Sequence, residues 1–124
     1  MKIEVSNAEI IDKLTILEIK LERINDPEKL SQIKKEFEFL APVAAEIIEM
    51  DHPLVIELKS INASLWDIED KIRMLEEQSD FGPEFIHTAR QVYRINDERA
   101  RVKHAINRIT NSGLTEEKSY KEYW

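Results

Sequence analysis

Apolar residues recur at three- and four-residue intervals through most of this chain, the period of an amphipathic helix, and clusters of turn residues divide the pattern into four runs. The first run carries the stripe Ile10, Leu14, Leu17, Leu21 and Ile24, with Ile11, Ile16 and Ile19 apolar off that stripe, so this helix is expected to be covered on more than one side. Ser6-Asn7-Ala8-Glu9 has the capping-box pattern: the Ser6 hydroxyl accepts from the Glu9 amide, and the Glu9 carboxylate reaches back to Ser6, with Val5 and Ile10 as the hydrophobic staple. Asn25-Asp26-Pro27-Glu28 stops that helix and starts another, Asp26 as cap and Pro27 in the first turn. The second run is Leu30, Ile33, Phe37, Leu40, Ala44 and Ile47, and its phase carries through Pro42, which predicts a kink or brief restart. After "MDHP", with Asp51 or His52 as cap, the third run is Leu54, Leu58, Ile61, Leu65, Ile68, Ile72 and Leu75. "QSDFGPEF" separates it from a fourth run, Phe85, Val92, Ile95, Val102, Ile106 and Ile109, with Asp80 or a neighbour as cap. Asn111-Ser112-Gly113 supplies the stop.

These signals predict one all-α domain over residues 1–124. It comprises an arm (1–5), helices over 6–25, about 27–50, 53–78 and 83–111, and an aromatic tail (112–124) expected to pack on something. Short connections make consecutive helices antiparallel neighbours, which gives an up-down bundle of four long helices. The near-strict heptads of the first and third helices add a coiled-coil-like seam that a second copy of the chain would complete, so a homodimer is expected.

Composition narrows the function classes. With 124 residues, 35% of them charged, two glycines and no cysteine, the chain is long enough for a core and excludes disulfides, thiolate metal sites and cysteine nucleophiles. No apolar run reaches signal-peptide or membrane-span length, so a cytoplasmic protein without a membrane partner is expected. A net charge of -7 argues against nucleic-acid partners, which need a basic surface. The charge is unevenly spread: Lys and Arg against Asp and Glu number 10 to 20 over residues 1–84 but 6 to 2 over residues 85–111.

Within that basic segment Arg99 falls on the apolar stripe, and the spacing 96, 99, 103 puts Asn96, Arg99 and Lys103 on one helical face. A candidate polar cluster follows: Asp12 on the first helix; Trp66, Asp67, Asp70 and Arg73 on the third; Asn96, Asp97, Arg99 and Lys103 on the fourth. Two uses are open. Converging Arg and Lys suit a carboxylate or phosphate ligand, because the planar guanidinium binds such groups in bidentate fashion. Alternatively the basic fourth helix docks on Asp67, Glu69 and Asp70 as an ion-pair network that fixes packing register. Trp66 lies off its stripe and is a candidate interface anchor. His52, His87 and His104 have no second histidine at helical spacing, so no imidazole metal site is expected.

The stretches "EVSNAEIIDKLTILEIKLERI", "LWDIEDKIR", "ARQVYRINDERARVKHAIN" and "EEKSY" together resemble the domain-of-unknown-function family 6165, short proteins of bacteria and their phages. The resemblance spans nearly the whole chain and implies no activity. The expectation is therefore a non-enzymatic module that binds a protein or a small anion, without cofactor. An enzymatic alternative rests on Glu46-x-x-Glu49 and Asp67-x-x-Asp70, which resemble the paired acidic motifs of MazG-like all-α nucleoside triphosphate pyrophosphatases. That resemblance implies magnesium held by the four carboxylates. A third helix beginning near Pro53 places Asp67 roughly 20 Å along it from the turn beside Glu49, which opposes the match.

Overall fold

The computed structural model describes residues 1–114, and they fold as four helices: α1 (Asn7–Arg23), α2 (Pro27–Ile47), α3 (Pro53–Glu77) and α4 (Pro83–Ile109). The all-α bundle expected from the periodicity is what the chain adopts. From residue 115 onward the expected aromatic tail lies outside the described residues.

Local chemistry sets the boundaries. Ser6 caps α1 as expected, its Oγ accepting from Glu9 N at 3.3 Å. The second half of the capping box is not made, because the Glu9 carboxylate instead meets the Lys103 ammonium at 2.5 Å, and a cation outcompetes a neutral amide for it. Asp26 Oδ1 accepts from Glu28 N and Lys29 N at the start of α2. α2 is continuous through Pro42 and stops at Ile47, three residues before the expected end. His52, rather than Asp51, caps α3 through Nδ1. α4 has Gly82 at its N-cap without a side-chain cap; Asp80 Oδ1 is turned to the Gly82 amide at 3.2 Å inside the loop.

Both long helices end in Schellman motifs on a residue in the left-handed region, Ser79 (φ 53) and Asn111 (φ 53). The bonds Asp80 N to Leu75 O (2.9 Å) and Ser112 N to Asn107 O (2.9 Å) close them. The expected Asn111-Ser112-Gly113 stop of α4 is thus made by Asn111. A β-carbon at positive φ costs energy that glycine avoids, so Ser79→Gly should raise stability by about 0.5–1 kcal/mol, measured as an upward shift of the urea midpoint.

α1 is the central helix. It packs against α2, α3 and α4, and α3 packs along α4, whereas among the described residues α2 approaches neither α3 nor α4. Consecutive order alone predicted an α2–α3 neighbour pair. The actual pairing follows from α1, whose off-stripe Ile11 and Ile19 are buried along with Leu14 and Leu17, so it carries α2 on one side and the α3–α4 hairpin on the other. These off-stripe residues are thus covered within one chain and no longer argue for a second copy. Ala8, Ile11 and Leu14 join Ala44 and Ile48 near the α2 end, Val55, Leu58, Ile61 and Leu65 of α3, and Val102 and Ile106 of α4 in one core.

Helix lengths do not match. α1 has 17 residues, about 26 Å, against 25 and 27 residues in α3 and α4, about 38–40 Å. The α3–α4 hairpin therefore runs on beyond the end of α1. Along that outer part Ile68, Ile72, Phe85 and Val92 of the expected stripe are only half-buried, and Leu75 and Thr88 are the buried side chains.

Candidate functional site

Asp12 is placed on the buried side of α1 between Ile11 and Leu14, and only 3% of it is exposed. A carboxylate there must be compensated, because burial of a lone charge is prohibitive. Arg99 supplies the compensation from α4: its Nε donates to Asp12 Oδ1 at 3.0 Å and its Nη2 to Asp12 Oδ2, a bidentate fork. Asn62 of α3 adds its Nδ2, which lies 2.9 Å from both Asp12 Oδ1 and Thr15 Oγ1. Thr15 Oγ1 in turn donates to the Asp12 carbonyl at 2.8 Å. Lys103, one turn along α4 from Arg99, stands 3.9 Å from Asp12 Oδ2 and pairs with Glu9. Two carboxylates from α1 and two cations from α4 thus meet over an amide from α3.

The first turn of α1 extends the same junction. Its exposed amides are taken by the end of α4: Ala8 N donates to Asn107 Oδ1 at 2.8 Å and Asn7 N to Ser112 Oγ at 3.0 Å. The Asn7 side chain donates to Thr110 Oγ1 at 3.0 Å. The start of one helix is capped by side chains of the helix antiparallel to it, which pins their relative height.

Of the nine residues expected in the cluster, the structure brings together Asp12, Arg99 and Lys103. The carboxylates expected to receive α4 lie elsewhere. Asp67 is exposed and pairs with Arg23 of α1, Asp70 is exposed, and Glu69 lies 4.0 Å from Arg73, itself exposed. Arg73 therefore does not converge with Arg99. Asn96 and Asp97 are half-buried on α4 and take no part in the bonds to Asp12; Trp66 is half-buried on α3 beside Asp67, where α1 ends. Asn62 and Thr15, absent from the expected set, are the neutral members. Their signal in the sequence was a polar residue at an inward position, Asn62 beside Ile61 and Thr15 beside Leu14.

Glu46 and Glu49 lie at the end of α2 and the turn after it, whereas Asp67 and Asp70 are fourteen and seventeen residues past Pro53, roughly 20 Å or more along α3. Among the described residues no group of three or more His, Asp or Glu side chains is arranged to hold a metal ion. At the α1–α3 edge Lys59 pairs with Glu22 at 2.6 Å and Glu18 at 3.1 Å. The hydrogen bond to Glu22 is the main reason its ammonium pKa is raised above 10.5, against a smaller opposing effect of burial.

A family model described as "Family of unknown function (DUF6165)" matches residues 1–123. The chain belongs to this family. No curated protein and no solved structure matches it. Across the described part of this DUF6165 protein, no helix is long and apolar enough to cross a membrane.

Proposed function

We propose that this DUF6165 protein is a non-enzymatic protein-interaction module that pairs with a second copy of itself through the outer part of the α3–α4 hairpin. The observation that carries this reading is the hairpin's apolar surface beyond α1. Phe81 and Ile86 are 53% and 55% exposed, and Met74 is exposed nearby. A two-helix hairpin presenting apolar side chains lacks the second layer that a helical core needs.

Charge favours a second copy as that layer. Residues 67–80 carry six acidic side chains against Lys71 and Arg73, whereas residues 84–95 carry Arg90 and Arg94 against Glu84. A two-fold arrangement sets the acidic α3 of one copy along the basic α4 of the other, and Trp66, at the base of this stretch, becomes an anchor. The polar cluster serves the fold in this reading: Asp12 is held by Arg99 and Glu9 by Lys103, which makes the group a lock on helix register.

Light scattering at micromolar concentration should give about twice the chain mass of 14.6 kDa. Phe81→Asp with Ile86→Asp should halve that mass at unchanged helix content. A parent chain that is monomeric at the same concentration would remove the proposal.

A further inference from the structure

α2 is held differently from the other three helices. Buried polar bonds tie α1, α3 and α4 together, from Arg99 and Asn62 to Asp12 and from the Ala8 amide to Asn107, and each of these helices sends several buried side chains into the core. In α2 Ala44 alone is buried, followed by its C-cap Ile48. Both lie after Pro42. Before it, Leu30, Ile33, Phe37, Leu40 and Ala41 are half-buried, and Phe39 is 81% exposed. Among the described residues α1 is the helix this stretch packs against, and the polar link between them is the exposed pair Lys13–Glu36 at 2.8 Å, which adds little in water. Pro42 is a further weakness, since it has no N–H to give to the Glu38 carbonyl one turn back.

We infer that residues 27–41 are a flap that opens from α1 by local unfolding, with Pro42 as the hinge, while the rest of the bundle stays folded. Local opening is easiest where few apolar side chains are buried and few polar bonds are desolvated, and this stretch has the least of both. Its opening releases half-buried side chains, one surface ion pair and the exposed Asp26 cap. Leu58, Ile61, Leu65, Val102 and Ile106 keep their cluster, and Asp12 keeps Arg99. Ala44 and Ile48 hold the far side of the hinge to that cluster. The open flap uncovers apolar surface of α1 that is otherwise covered, without disturbing the polar lock. Among the described residues α2 approaches neither α3 nor α4, so the flap and the dimer stand or fall independently.

Native-state hydrogen exchange of the full chain tests this, at a pH where exchange reports the opening equilibrium. Amides 31–41 should be about a hundredfold or more less protected than those of Leu14 and Leu58, and their opening should depend less steeply on urea. Amides 45–48 should behave like the core. Ile106→Val, a mild change at a buried site, should lower protection of Leu14 and Leu58 about two- to tenfold and leave amides 31–41 unchanged, because its contacts persist when the flap opens. Equal protection and equal urea dependence of amides 31–41 and the core overturn the inference. So does a fall at amides 31–41 as large as that at Leu58 in Ile106→Val, since α2 would then open only with the whole chain. Amides 45–48 exchanging together with 31–41 overturn the hinge at Pro42.

Discussion

Arg99→Leu is expected to lower the unfolding free energy by about 3 kcal/mol, read from urea denaturation. The leucine would pack well on the α4 stripe, so the loss does not come from the arginine's own site. It comes from Asp12, which is 3% exposed and would keep its charge with, among the described residues, the Asn62 side chain in hydrogen-bond contact and Lys103 at 3.9 Å. Because the arginine side chain is 29% exposed, the expected cost sits at the low end of the range for breaking a buried pair. Arg99→Lys should recover only part of it, since an ammonium cannot reproduce the fork to both carboxylate oxygens. The double substitution Asp12→Leu with Arg99→Leu should restore most of the stability, because no charge is then stranded. If the double variant lost the sum of what Asp12→Leu and Arg99→Leu lose singly, the two side chains would not be coupled.

Asn107→Ala should cost about 2–3 kcal/mol, combining a lost buried hydrogen bond with an orphaned amide at Ala8. Asn107 is buried, and its Oδ1 takes the Ala8 amide at 2.8 Å, so it joins the end of α4 to the start of α1. Ser112→Ala, which removes the partly exposed bond to Asn7 N, should cost only about 0.5–1 kcal/mol. Hydrogen exchange at the Ala8 amide separates local from global effects. Its protection should fall more in Asn107→Ala than the loss of global stability accounts for, and an equal fall would mean that the cap has no local role.

The helices were legible because their signals are local. Ser6, Asp26 with Pro27, and Pro53 and Pro83 each act within one turn, and the stripes of Leu14, Leu17, Leu58 and Leu65 marked true core positions. Pairing between helices was less so. Periodicity tells which face of a helix is apolar but not which neighbour receives it, and α1, apolar on several faces, took both α2 and the α3–α4 hairpin. The same limit hides Arg99's partner, which lies on α1 rather than on α3. The dense carboxylates Asp67, Glu69 and Asp70 looked like the natural acceptors of a basic helix, but their abundance is a mark of exposure. The informative residue was the lone Asp12 between Ile11 and Leu14, since a single carboxylate in an apolar stripe requires a dedicated cation. The half-burial of Phe85 and Val92 was not legible either, because it depends on α1 ending about 12 Å or more short of α3 and α4.

The central claim is that Arg99 and Lys103 serve the chain's own carboxylates rather than an external anion. A thermal-shift series tests it most directly: inorganic phosphate, nucleoside triphosphates, sugar nucleotides and small dicarboxylates, each with and without magnesium, on the parent chain and on Arg99→Leu. A ligand at a hundred times its dissociation constant adds about 2.7 kcal/mol, enough to move the melting temperature visibly. No shift that depends on Arg99 is the predicted result. A shift present in the parent chain and abolished in Arg99→Leu would contradict it and make the cluster an anion site.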